Sequence, residues 1–319
     1  MALLGIDLGG TKLASAVFTE DGSMISEESV LVGDRRGREV GELIARRMNK
    51  FLDEQALDGD DIHSIGICVP GIYYQKEGSV WAPNIPGWGD YPLLAELKQT
   101  AGKIPVAIDS DRACYILGEL WEGAAQGCSD AIFLAVGTGI GAGILIDGKV
   151  FRGAHDIAGS VGWMALERSY QDKFAACGNF ETRASGDGIP KLTREILAEA
   201  TAYAGVLRDK PAEHLLAYDI FDAYEKDDPV AKEVVAQCVE LWGMAVANLV
   251  SLFNPEKIIF GGGVFGPAIK FLPDIHAEAR KWAQPVAMKK VAIEPSSLGN
   301  HAGLFGAGLL AMRNLKGQS

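Results

Sequence analysis

The sequence predicts an α/β protein of two domains, on three observations. Apolar runs of strand length alternate with segments of helical spacing, the pattern of sheets covered by helices. The 319 residues are enough for two domains, each able to bury its own core. A strand, a tight glycine turn and a returning strand occur twice, from Leu3 to Phe18 and from Ala131 to Val150. In both, a Gly-Thr pair precedes an Asp-Gly turn by about ten positions, which suggests an internal duplication, with two unrelated glycine-rich hairpins as the alternative.

Taken in order, the first hairpin is an apolar run, then Asp7-Leu8-Gly9-Gly10-Thr11-Lys12, then a second apolar run. A helix is expected near Gly37 to Gln55, a buried strand at Ile65 to Val69, a Pro/Gly/Trp-rich loop from Ala82 to Pro92 and a strand from Pro105 to Ile108. The second hairpin follows, with Gly137-Thr138-Gly139-Ile140-Gly141-Ala142-Gly143 at its turn. Helical segments are then expected near Pro190 to Tyr203 and Glu213 to Tyr224. A long helix has Asp228 as N-cap, Pro229 at its first position and Phe253 at its end, before Asn254-Pro255. Its residues Val234, Val235, Cys238, Leu241, Trp242, Ala245 and Leu249 keep helical spacing. The chain then reads as a strand from Lys257 to Phe260, the turn Gly261-Gly262-Gly263, another helix, a strand from Val291 to Ile293 and a small-residue helix from Ala302 to Met312.

Composition narrows the function classes. With 30 Lys and Arg against 42 Asp and Glu the net charge is −12, a field that repels polyphosphate strands and argues against nucleic acid as a partner. Glycine turns can still bind a phosphate through backbone N–H groups, whatever the net charge. The longest uncharged runs are broken by glycines and offer no spanning helix, so no membrane partner is expected. The five cysteines are scattered and form no C-x-x-C pair, which fits small buried thiols and a cytoplasmic location. The acidic pair Asp60-Asp61 and the run Glu225-Lys226-Asp227-Asp228 read as solvated charge.

Three glycine clusters stand at strand ends. Asp7 at the end of an apolar strand can orient a metal-bound water, and Gly9 and Gly10 let bare backbone approach a phosphate to which Thr11 and Lys12 can donate. Gly137 to Gly143 repeats the device but is neither a Walker loop nor a dinucleotide fingerprint, since ILIDG after it reads as strand. Gly261 to Gly263 follows the strand KIIF. Each alone is a common turn; together they favour a nucleotide cleft. Asp109-Ser110-Asp111 follows the strand PVAI, where a carboxylate can accept a hydroxyl proton during phosphoryl transfer, or where the triplet simply caps a helix.

The stretch GIDLGGTK, VPG, Ala82-Pro83-Asn84-Ile85-Pro86-Gly87-Trp88, Asp111, Leu117-Gly118-Glu119, GTGIGAG, Leu252-Phe253-Asn254-Pro255 and GGG resembles the ROK family (repressor, open reading frame, kinase) of sugar kinases and sugar-responsive repressors. The resemblance covers essentially the whole chain. It implies the actin-like ATPase (ribonuclease H-like) fold, with two α/β domains around a cleft for ATP and sugar. The expected N-terminal domain is 1–108, completed by a helix at 302–319; the larger C-terminal domain is 109–301. The resemblance further implies Asp111 as the base for a sugar 6-hydroxyl and Asp7 as the acidic residue near Mg²⁺. Gly9, Gly10, Thr11 and Lys12 match the first phosphate loop, Gly137, Thr138 and Gly139 the second, and Gly261, Gly262 and Gly263 the adenosine motif. Asn84 and Glu181 match positions at the sugar pocket. A homodimer and a small-molecule sugar partner are also implied.

The departures concern the sugar side. The family's G-E-x-G-H stands here as Gly159-Ser160-Val161-Gly162-Trp163, and the usual Asn before the catalytic Asp is Ser110. The zinc-binding cysteine cluster is reduced to Cys177-Gly178-Asn179-Phe180-Glu181, so no structural zinc is expected. Ser110, Ser160 and Trp163 thus replace polar sugar contacts, which argues against glucose and for a modified hexose, aminosugar or ketose. Trp163 either stacks on a sugar face or packs where the zinc held the loop. The alternative to a kinase is a sugar or nucleotide sensor without turnover.

Overall fold

The computed structural model describes residues 1–58 and 61–317, so Asp60 lies outside the described residues. The chain divides into two compact units. Unit one comprises Met1–Cys128, Gly143–Ala158 and Ser297–Ser319, and unit two comprises Ser129–Ala142 and Gly159–Ser296.

The first hairpin is β1 (Ala2–Leu8) and β2 (Lys12–Phe18), antiparallel, extended on its outer edge by β3 (Met24–Leu31). β3 is not anticipated by the sequence reading, because its alternately exposed residues MISEESVL give an edge strand little apolar signal. Then come α1 (Arg38–Asp58), β4 (Ile62–Val69), a small ribbon of β5 (Ile72–Tyr74) and β6 (Ser79–Trp81), α2 (Leu93–Ala101), β7 (Val106–Ser110) and α3 (Asp111–Glu122). β4 runs parallel to both β1 and β7, giving the sheet order β3-β2-β1-β4-β7.

The second hairpin is β8 (Ala131–Val136) and β9 (Ile140–Ile146), followed by β10 (Lys149–Val150). Helices α4 (Asn179–Ala184), α5 (Gly188–Glu199), α6 (Ala217–Glu225) and α7 (Pro229–Phe253) come next. β11 (Lys257–Gly261), α8 (Leu272–Trp282), α9 (Pro285–Met288) and β12 (Ala292–Pro295) complete this stretch. The second sheet has the order β10-β9-β8-β11-β12, so each sheet arranges its five strands third, second, first, fourth, fifth. This shared order is what two copies of one supersecondary plan would give.

In α7 the Asp228 carboxylate accepts from the Val230 and Ala231 N–H groups, each at 3.0 Å, and Asn254 ends the helix in a left-handed conformation. Asp228 is therefore buried rather than solvated, unlike Glu225, Lys226 and Asp227. By length and composition α7 is apolar enough to cross a membrane. Val234, Cys238, Leu241, Trp242 and Val246 are buried within unit two, where α7 packs on α5, α6 and α8, so its apolar character is that of a core helix. α6 begins later than the sequence suggests, at Ala217, because the Asp219 carboxylate accepts from Leu216 N–H at 2.8 Å and fixes the helix start there.

Unit one is closed by α10 (Ala302–Leu315). Along β1, Leu4, Ile6 and Leu8 pack with Ile44 and Met48 of α1 and with Leu93 and Leu97 of α2. The opposite face carries Leu3, Gly5 and Asp7, and it is covered by α10. The approach is close: a Cβ on Gly66 of β4 would lie 1.9 Å from the Ala307 carbonyl oxygen, and one on Gly306 would lie 1.8 Å from that of Cys114 in α3. Buried Glu119 of α3 ties the chain entering α10, accepting from Ser297 Oγ at 3.2 Å and from Ala124 N–H at 2.7 Å.

Candidate active site

Three adjacent parallel strands of unit one end in a row of polar groups. Asp7 of β1 pairs in register with Cys68 of β4, and Cys68 with Asp109 of β7. Such a row lies at the carboxyl ends of the strands, where α/β sheets expose functional groups. Ser110 then caps α3, its hydroxyl accepting from Ala113 N–H at 3.4 Å, and Asp111 is the first helical residue. The Asp-Ser-Asp triplet is thus a helix cap and a carboxylate cluster at once.

Burial sets the acidity of these groups. The Asp111 carboxyl is pushed up to about 6, first by desolvation and further by the charge of Asp7; the Arg112 guanidinium and the Arg112 N–H, at 2.8 Å from Oδ1, oppose the shift. Asp7 is also raised by burial, offset by a hydrogen bond with the Cys68 side chain. Its carboxylate abuts the first turn of α10 at Gly303, where a Cβ would come within 2.5 Å of Oδ2. Among the described residues no basic side chain forms an ion pair with Asp7. Asp109 is raised by burial, with the Arg152 guanidinium, which pairs with it, pulling the other way.

The first glycine loop turns tightly, Gly9 N–H donating to the Lys12 carbonyl at 2.8 Å, and Gly10, Thr11 and Lys12 are exposed. Exposed Asn84 stands beside it, its Nδ2 3.8 Å from where a Cβ on Gly10 would be. The loop that carries Asn84 is anchored by Trp88, which is buried, stacks on Tyr91 and donates from Nε1 to the Gly37 carbonyl at 2.9 Å.

Unit two gathers the remaining candidates. Gly137 N–H donates to the Gly139 carbonyl at 2.9 Å, and the chain after α4 runs against this turn, with Gly186 N–H donating to the Gly137 carbonyl at 2.7 Å. Glu181 of α4 accepts from Ile140 N–H at 2.6 Å and lies against Gly139 and Gly162. Glu181 therefore fixes the exit of the second glycine loop, a role the sequence reading did not anticipate. Gly262, at a positive φ of 88°, packs on the backbone of Val136, which brings the third glycine cluster beside the second. Ser160 is exposed, and Trp163, at the end of a short 3-10 turn, is 57% exposed, so its ring does not pack into the unit.

The segment leading into α4 is held by side chains. Asn179 accepts from Leu166 N–H at 2.9 Å and Glu167 N–H at 3.1 Å and donates to Glu167 Oε2 at 2.6 Å. Arg183 pairs with Glu167 and Glu195. Among the described residues no group of three or more His, Cys, Asp or Glu could hold a metal ion, and Cys177 lies 3.2 Å from Thr182 Oγ1.

Two residues near the site were not singled out by sequence. Arg152 and Cys68 reach Asp109 and Asp7 only through the tertiary fold, and no local spacing signals either contact. Asp156, in a left-handed conformation with φ of 58°, accepts from Gln75 N–H at 3.2 Å.

The surroundings suit a nucleotide and a divalent cation. A Cβ at Gly137 or Gly263 would meet nothing within 4 Å, leaving backbone open to a ligand, and Asp7 is a half-buried carboxyl group that forms no ion pair with a basic side chain among the described residues.

Comparison with known proteins identifies the family. The ROK family model matches residues 3–314. A glucokinase of Halalkalibacterium halodurans is 32% identical over 315 residues, covering 96% of this chain and 94% of that protein. The ROK hexokinase of Thermus thermophilus superposes with a TM-score of 0.81 at 28% identity, covering 99% of this chain and all (100%) of its own. A ROK glucokinase of Streptomyces griseus, solved with glucose and AMPPNP, gives a TM-score of 0.77 at 30% identity over 98% of this chain and 100% of that one. These relatives share the actin-like ATPase fold expected from the sequence, and the chain belongs to the ROK family.

Proposed function

We propose that this protein is an ATP- and Mg²⁺-dependent carbohydrate kinase that phosphorylates the 6-hydroxyl of a hexose or hexose derivative. The observation that carries the reading is Asp111. It is a carboxylate at the head of a helix, desolvated until its pKa reaches about 6, and therefore ionised at neutral pH yet a stronger base than an ordinary aspartate. Asp111 takes the proton of the acceptor hydroxyl onto a carboxylate oxygen as the phosphoryl group is transferred. Phosphoryl transfer asks for positioning and charge stabilisation more than covalent chemistry, and the remaining residues supply both.

Gly9, Gly10, Thr11 and Lys12 hold phosphate oxygens through backbone N–H groups, a hydroxyl and an ammonium. Gly137, Thr138 and Gly139 form the second phosphate loop, steadied by Glu181, and the Gly261-Gly262-Gly263 turn, open at Gly263, receives the adenosine. Asp7 is the residue that would hold the divalent cation near the phosphates. Bound ATP supplies the phosphoryl group, and a bound Mg²⁺ would neutralise charge on its phosphate oxygens. Asn84, Ser110, Ser160, Trp163 and Glu181 are the residues assigned to the acceptor, and the exposed Trp163 ring is available to stack on a sugar. With Ser110, Ser160 and Trp163 in place of the family's Asn, Glu and His, the preferred acceptor is not glucose.

ADP release with Mg-ATP across hexoses, aminosugars, ketoses and polyols tests the reading. Turnover on one acceptor that disappears in Asp111→Asn is expected. ATP binding with no turnover on any acceptor would instead point to a sensor or to an acceptor outside the panel.

A further inference from the structure

Unit one carries a half-open cavity of about 580 Å³ that none of Asp7, Asp111 or the glycine loops lines. Its walls come from α3 at Leu117, from the turn into β10 and the chain after it at Lys149, Val150 and Arg152, and from the last turns of α10 at Leu310 and Arg313. Its size is that of sites for small organic ligands.

The charge on these walls runs against the rest of the chain. Three cations, Lys149, Arg152 and Arg313, line the cavity, and Asp147 is the one acidic residue among the described lining residues, in a protein of net charge −12. Arg313 donates to the Gly148 carbonyl at 3.1 Å. Its pKa is depressed, first by burial and then by the charge of Arg152. Arg152 pairs with Asp109, donates to the Val150 carbonyl at 3.3 Å and keeps a buried Nε with no acceptor. Among the described residues no carboxylate forms an ion pair with Lys149 or Arg313. Asp109 is the counter-charge of Arg152, but the neighbouring Arg313 guanidinium and Lys149 have none among the described residues, and an anion in the cavity supplies one.

We propose that this cavity is a second ligand site, which takes a small phosphate-bearing anion between Arg313, Arg152 and Lys149. Planar guanidinium forks match phosphate oxygens in pairs, and Lys149 adds a point charge. Leu117, Val150 and Leu310 form an apolar wall for the carbon part of an organic phosphate. Because Arg152 also holds Asp109, the occupant shares a guanidinium with the strand that leads into Asp111.

Calorimetric titration of the full chain with inorganic phosphate and with glycerol 3-phosphate tests this, at fixed ionic strength and with saturating AMPPNP to fill the glycine loops. A saturable isotherm is expected for the native chain, weakened about tenfold or more in Arg313→Gln and in Lys149→Glu. Lys149 is exposed, so its reversal tests the site even where Arg313→Gln fails to fold. Tighter binding of glycerol 3-phosphate identifies an organic phosphate as occupant and tighter binding of inorganic phosphate a free one, and either upholds the site. No saturable binding to the native chain, or equal binding by native chain and folded variants, overturns it. Both variants leave the glycine loops intact, so failure of AMPPNP to bind speaks against the kinase reading alone.

Discussion

If Asp111 is the base proposed above, the needs of catalysis and of folding oppose each other there. A folded-state pKa of about 6 lies above the ordinary aspartate value, so the folded chain holds this proton more tightly than the unfolded one. Ionised Asp111 therefore costs stability above pH 6, and that stability returns as pH falls from about 6 towards 4. Asp111→Asn is expected to lower kcat by about 10²–10⁴ while stabilising the fold at pH 7 by about 1–3 kcal/mol, measured by turnover and by urea titration. In the native enzyme kcat/KM should fall about tenfold per pH unit below about pH 6, as the base becomes protonated. Glu181 behaves differently. Glu181→Ala leaves the Ile140 N–H without its acceptor, which costs about 1–3 kcal/mol and loosens the second phosphate loop, so KM for ATP should rise several-fold, whereas Glu181→Gln, which keeps an acceptor, restores most of it. The placement of Asp7, Asp111 and the glycine turns at strand ends was legible because it is local: a carboxylate or glycine after an apolar run shows in the sequence. The Glu181 contact with Ile140 and the Arg152 contact with Asp109 join residues about forty positions apart, and nothing in the spacing announces them.

At the scale of elements, helix α10 meets its neighbours backbone to backbone at its glycines as well as through apolar side chains. Gly306→Ala would drive a methyl group into the Cys114 carbonyl and should cost about 3 kcal/mol, read as a lower urea midpoint with unchanged slope. The segment entering α4 is organised by Asn179 and Arg183, so treatment with a zinc chelator should leave Tm unchanged, and Asn179→Ala should destabilise by about 1–3 kcal/mol by stranding the Leu166 and Glu167 N–H groups. A chelator-induced fall in Tm would show a metal at work there. Element by element, the hairpins, α7 and α10 were readable from apolar periodicity and caps. β3 was not, since an edge strand with one solvated face lacks a continuous apolar run, and α3 was obscured because Ser110 and Asp111 read equally as cap and as site.

For the whole molecule, a net charge of −12 means self-repulsion in the folded state at neutral pH. Screening relieves it, while the exposed ion pairs that salt weakens contribute little. Raising sodium chloride from about 20 to about 200 mM, across which the Debye length shortens severalfold, should therefore raise the urea midpoint at pH 7; a fall would mean that ion pairs such as those of Glu28 with Arg47 and Lys50 dominate instead. The sequence announced the twofold repeat through its Gly-Thr hairpins, and the matching strand orders show how far the repeat extends, which only long-range pairing can reveal. The assembly of unit one from distant segments has a further consequence during synthesis. Roughly 190 residues separate the end of β7 from the start of α10, and at about 5–20 residues per second a ribosome needs roughly 10–40 s to cross them. For that time the sheet face bearing Leu3, Ala16 and Phe18 waits uncovered for Leu304 and Ala311, which makes the nascent chain a client for chaperones that bind exposed apolar strands and makes its last helix the step that releases it.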